Sequence, residues 1–190
     1  MADLRSNKAD IVGESVFLSE AEDGVGITAP IIAKGDFQVA IFSTPSRRDV
    51  LQIAEPNELR ALTGVTVQHW KVDKQTLDGM GVQSVTTARK MELIPPMIDA
   101  GRTDFTLSYL DRPTTEHMGA TLTRLDGFRV SLVDERVLVV SPSKPDLLDA
   151  FNSRIRASRD ERPDPIRAAY IQSGFIVDAY DDWMDVTTLE

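Results

Sequence analysis

The chain contains no cysteine. That excludes disulfides, thiolate-bound zinc and thiol nucleophiles, and leaves the redox compartment open. Histidine is almost as scarce. His69 and His117 lie too far apart for the short ligand spacing of a metal site, and two histidines give a Ser–His–Asp arrangement no support. No apolar run approaches the roughly 20 residues needed to span a bilayer. The opening stretch MADLRSNKADIV has neither an apolar signal core nor a small-residue cleavage site. Basic residues are outnumbered, 21 Lys and Arg against 30 Asp and Glu, for a net charge of −9. Phosphate binding needs clustered cations, so nucleic acid is a poor partner, as is an anionic membrane surface. No nucleophile elbow, Walker A loop or dinucleotide fingerprint occurs. Carboxylates are plentiful, but no spacing selects an acid–base pair. The expectation is a protein that is not an enzyme and needs no cofactor and no metal.

The 190 residues, 42% apolar and 27% charged, suit one soluble domain or two small lobes with a sizeable core. Strand-like and helix-like stretches alternate, which predicts an α/β layer structure. Strands are expected over 9–17, 37–42, 65–69, 83–85, 105–110, 128–133 and 136–141. The run Phe37 to Phe42 is nearly continuous in apolar residues, as in a strand buried on both faces. Pro56 starts a short helix carrying Leu59 and Leu62, with Gly64 past its end. Asp73 is placed as the cap of a helix that ends before Gly81, and Thr86 or Thr87 as the cap of the next. Pro95 and Pro96 either kink that helix or restart it. A short helix is expected from Thr115 to Leu122. The clearest helix follows Pro145, with Leu147, Leu148, Phe151 and Ile155 on one face. After the linker Asp160 to Asp164 a last helix runs to about Ser173. The acidic tail Asp178 to Glu190 is expected to be weakly ordered.

Particular segments carry more than a generic pattern. PNELRALTGVTVQHWKVDKQTLDGMGVQSV, then MELIPPMIDAGRTDFTLSYL with its Gly101, Arg102 and Asp104, resembles the second lobe of bacterial extracellular solute-binding proteins of the amino-acid-binding family. RVLVVSPSKPDLLDAFNSRIRA, through Ser143, Lys144, Pro145 and Leu147, resembles that family's closing strand and helix. The spacing of Trp70, Asp73, Leu77 and Gly81 is similar to a divergent transporter substrate-binding subgroup. LRSNKADIVGES resembles the segment leading into the last strand of lobe one. The resemblance covers roughly residues 8 to 175. It implies a periplasmic binding protein-like class II fold, with two lobes joined by two crossover strands near Phe37–Ser43 and Arg136–Ser141. It also implies that lobe one is incomplete, lacking its first β-α-β-α portion. The implied division is a partial lobe one with the first crossover (1–43), lobe two (44–135), the second crossover with lobe-one helices (136–177) and the tail (178–190).

The resemblance also singles out residues for a ligand. Asp104 would hold an ammonium group, or else simply cap a turn. Thr86, Thr87 and Arg89, read as a helix N-terminus, would hold a carboxylate, or else be an ordinary cap beside a solvated Arg. Trp70 would cover a ligand or pack in the core. Arg47 would pair with an anion or sit in a solvated basic turn, and Ser15 would donate a hydrogen bond. Tyr109 is expected to pack between lobes. The implied function is binding of a small polar solute, an amino acid or organic acid, in the periplasm, with an ABC transporter membrane subunit as a possible partner. If Met1 is the true start, the expected location is cytoplasmic. The alternative is an interaction or sensory module of the same fold that binds no solute and forms a homo-oligomer. An enzyme on this fold, with carboxylate chemistry, is a third class.

Overall fold

The computed structural model describes residues 2–6, 8–15, 24–117 and 119–188. In chain order the elements are α1 (Ala2–Arg5), β1 (Ile11–Ser15), β2 (Gly26–Ile27), β3 (Gln38–Ser43), α2 (Arg48–Leu51), a 3-10 helix (Pro56–Ala61), β4 (Thr63–Val67), α3 (Lys71–Gly79), β5 (Ser84–Ala88), a 3-10 turn (Met91–Leu93), α4 (Ile94–Asp99), β6 (Thr106–Tyr109), β7 (Thr114–His117), β8 (Ala120–Arg124), β9 (Phe128–Ser131), β10 (Arg136–Val140), α5 (Pro145–Asp160), α6 (Pro165–Gln172) and β11 (Met184–Asp185). The chain divides into two compact units, one of residues 1–37 and 134–176, the other of 38–133 and 177–190. It passes between them three times. The passages follow residues 37, 133 and 176, and the last delivers the tail to the second unit.

The first unit holds a three-stranded sheet, β1-β10-β2, antiparallel throughout. Val137 and Val139 of β10 are buried against Leu4, with Ala9, Val12, Val25 and Ile27 packed around them. α5 buries Ile155 and Ser158. Its Leu148 closes on Gly26, where a Cβ would stand only 2.7 Å from Leu148 Cδ2. α6 starts at Asp164, whose carboxylate accepts from the N–H groups of Ile166 and Arg167, satisfying donors a helix start leaves orphaned.

The second unit is organised around β3. One edge of β3 pairs antiparallel with β6, the other with β9 and then β8, and β7 pairs with β8. Residues 39–43 are all buried, as the continuous apolar run predicts; burying each large apolar side chain is worth roughly 1.5–3 kcal/mol. β4 pairs in parallel with β5. Its other side meets the start of β6 through a parallel bridge, Gly64 to Phe105, with Val65 N donating to Phe105 O and Asp104 N to Thr63 O. β4, first in the chain, therefore has its successor β5 on one side and the later β6 on the other. α4 buries Ile94 and Ile98 in the core with Val65, Val67 and Ala88. α3 buries Leu77 on the face of Gly64, where a Cβ would lie 3.0 Å from Leu77 Cδ2.

Several expectations are corrected. Gly64 lies inside β4 and is there for close packing, not to end a helix. Asp73 sits in the first turn of α3, one turn inside the cap position, which Trp70 occupies. Thr86 and Thr87 cap nothing: they lie in β5, where three successive β-branched residues suit an extended strand. Pro95 and Pro96 occupy the first turn of α4, a place where proline's missing N–H costs no hydrogen bond. Strands Thr114–His117 and Ala120–Arg124 pair antiparallel where a helix is expected; Thr114, Thr115, Thr121 and Thr123 favour strands, and Gly119 has φ +81°. The tail, as far as residue 188, is not loose. β11 runs parallel to β9, Val186 is 1% exposed, and Trp183 and Tyr180 pack on the core.

Candidate ligand-binding site

Three strands of the second unit, β5, β4 and β6, point their carboxyl ends the same way. Beyond β4 come Gln68, His69 and Trp70; beyond β5, Arg89; beyond β6, Leu110, Asp111 and Arg112. Because the chain order reverses across β4, the strand ends of β4 and β6 flank a topological switch point. Ligands of open α/β sheets bind outside the carboxyl ends of strands at such points. Short backbone bonds fix this edge: Gln68 N donates to Ala88 O at 2.8 Å, and Trp70 N to Val67 O at 2.9 Å.

Trp70 is half-buried on the cluster that includes Val67 and Ala88, with the His69 ring edge-on to it at 6.3 Å between centroids. Thr86 is half-buried, Thr87 and Arg89 exposed. Thr87 stands opposite Thr66 in the ladder; the Thr66 hydroxyl is buried and unbonded. Tyr109, expected to be packed away, is 57% exposed, and the Arg112 guanidinium lies 5.1 Å from its ring centre. Among the described residues no carboxylate pairs with Lys71, Arg89 or Lys90.

Arg47 and Asp104 sit at the opposite end of the strands. Asp104 Oδ1 accepts from Arg47 Nη2 at 2.6 Å, and its Oδ2 from the Thr63 N–H at 2.7 Å. Arg47 also grips Asp49 through Nε and Nη2, and Nη1 donates to Thr103 O at 3.2 Å. Ser43 Oγ donates to Asp104 O, and Ser46 Oγ to Asp99. The bonds Arg47 donates to Asp49, then that to Asp104, hold its proton more tightly than usual despite burial. The hydrogen bond from Arg47 holds the Asp49 carboxyl below its ordinary range; those from Ser46 and then Thr44 do the same for Asp99. This is a brace tying the end of β3 to the starts of β4 and β6.

Trp70 and Arg89 thus follow the carboxyl ends of β4 and β5, Thr86 and Thr87 lie within β5, and Arg47 with Asp104 lies at the opposite end of the strands. Ser15 lies in the first unit, buried at the end of β1, its N–H donating to Glu14 Oε1. Sequence reasoning missed Arg112 and underrated Tyr109. Their signal was position, Tyr109 as the last residue of a strand in a parallel set and Arg112 in the loop that follows it, which becomes readable only when the strand order is known. Among the described residues, no cluster of His, Asp and Glu has the makings of a metal site, and no helix is long and apolar enough to cross a membrane.

Comparison with solved structures places this architecture. A periplasmic His/Glu/Gln/Arg/opine family-binding protein from Silicibacter pomeroyi, in complex with lysine, superposes with a TM-score of 0.54 at 17% identity, over 94% of this chain and 75% of its own. The periplasmic VFT2 domain of BvgS from Bordetella pertussis gives 0.53 at 17% identity, over 90% and 70%. The fold is that of a class II periplasmic binding protein. The first unit of this binding-protein fold carries a three-stranded sheet among the described residues, and the solved neighbours extend beyond what this chain covers. No protein-family model matches the sequence, and no curated protein does.

Proposed function

We propose that this chain binds a small polar solute, an amino acid or an organic acid, as a transporter-type solute-binding protein. The observation that carries the reading is the switch point between β4 and β6 in a binding-protein fold, with Trp70 shortly beyond the end of β4 and Tyr109 as the last residue of β6. In this reading Trp70 covers the solute, while Thr86, Thr87 and Arg89 supply polar contacts and Arg47 with Asp104 supports the sheet from its far end. The lysine complex of the Silicibacter pomeroyi neighbour supports an amino acid as the solute class. A periplasmic location and an ABC transporter membrane subunit as partner belong to the same proposal.

A thermal-shift panel of amino acids and small organic acids tests it. Binding to the native state alone adds RT ln(1 + [L]/Kd), about 2.7 kcal/mol at a hundredfold excess over Kd. At least one compound should raise Tm, and Trp70→Ala should abolish the shift. A flat response across the panel would sink the proposal.

A second reading has one observation in its favour. Neither β1 nor β2 has a partner on its outer edge among the described residues, and unpaired edges invite pairing between chains. In this reading the chain is a self-associating interaction or sensory module that binds no solute.

A further inference from the structure

The segment after β6 that borders the proposed ligand edge is held at both ends by one residue. Arg124, on β8, donates through Nη1 to the carbonyl of Leu110, and its backbone N–H donates to the carbonyl of Pro113 at 2.9 Å. Between those two ties lie Asp111 and Arg112, and just before them the exposed Tyr109. The Arg124 side chain is only 8% exposed. Nε is fixed by Asp126 at 2.8 Å. The guanidinium carbon lies 4.8 Å from the Tyr180 ring centre and 4.5 Å from that of Trp183.

Both rings come from the C-terminal segment. That segment is fastened independently of Arg124: β11 pairs with β9, Arg129 donates to the Tyr180 carbonyl and to Asp181 at 3.0 Å, and Ser131 bonds Asp185. Aromatic faces attract a guanidinium electrostatically, more strongly where water is excluded. A planar cation held by rings and bonded along its edge has no alternative rotamer that keeps its partners.

We infer that Arg124 is a positioning residue and the segment Val177 to Thr188 a strap. By clamping Arg124, the strap sets the conformation of the Leu110–Pro113 loop and, through it, the placement of Tyr109 and Arg112 at the ligand edge. The last clause rests on the proposed solute site; the clamp itself does not.

Amide hydrogen exchange on the full chain, in the Trp183→Ala and Trp183→Phe variants, tests the inference. Loss of the ring should speed exchange at Arg112 and Arg124 about tenfold or more, while Val65 and Asp104, in the distant brace, keep their rates. Phenylalanine restores a ring face and should restore most of the protection. Equal acceleration throughout the second unit would reduce Trp183 to general stability and overturn the inference. So would unchanged exchange at Arg112 and Arg124. A compound that raises Tm should bind Trp183→Ala at least about fivefold more weakly and Trp183→Phe nearly as wild type; equal affinity for all three would remove the loop from ligand binding. If no compound binds, the solute proposal fails while the exchange rates still decide the clamp.

Discussion

Arg47 and Asp104 pair with each other in the brace at the starts of β4 and β6. Both side chains are under one-fifth exposed. Removing one partner of such a pair leaves the other buried without its counter-charge, which costs more than the pair contributes. Arg47→Met should therefore lose about 2–3 kcal/mol of stability at neutral pH, measured by urea unfolding, given ~1.5–3 kcal/mol for hydrogen bonds to charged groups. The loss should shrink in acid. The Asp49 carboxyl is depressed by its bond from Arg47. The stability that depression confers is therefore present above its unfolded pKa, near 3.9, and disappears as the pH falls through the lower folded value. A gap between wild type and variant that widens below pH 4 would contradict the brace as described. The sequence did announce Asp104, since an Asp between a helix-ending glycine and a strand has a role. Which role depends on the Thr63 N–H and the Arg47 fork, 41 and 57 residues away.

At the scale of elements, the errors share a cause. Thr86 and Thr87, expected to cap a helix, lie on β5, and the strands β7 and β8 stand where a short helix is expected from Thr115 to Leu122. In each case several β-branched neighbours favour extended backbone, and a pairing strand is available: β4 for the first, β8 paired with β7 for the second. The strands with continuous apolar runs, β3 and β10, were legible because burial on both faces leaves little room for polar residues. Gly64 shows a constraint that composition hides. Its Cβ would press on Leu77 and on Phe105 Cζ at 3.3 Å, and overpacking typically costs 1–3 kcal/mol. Gly64→Ala should destabilise the chain by about 1–3 kcal/mol, with its α3 signals perturbed most in NMR spectra. A neutral substitution there would mean that α3 shifts freely on β4.

At the scale of the molecule, the net charge of −9 opposes self-association, while the unpaired edges of the β1-β10-β2 sheet favour it. Short-range backbone pairing survives screening and mutual charge repulsion does not. If the second reading holds, dimer should appear in light scattering and increase with added salt. A monomer at millimolar concentration in high salt would leave solute binding as the sole reading. Local patterning was enough for the α/β class, the positions of most strands, the α5 face, the exclusion of thiol chemistry and the resemblance to binding proteins. These follow from local periodicity and from segments whose order along the chain is preserved. Long-range pairing was needed to place Trp70 and Asp104 at opposite ends of one strand set, the tail in the second unit, and Arg124 between Tyr180 and Trp183. The reason is physical: strand order and register depend on pairings between residues tens of positions apart, and no local pattern encodes which carboxyl ends will meet.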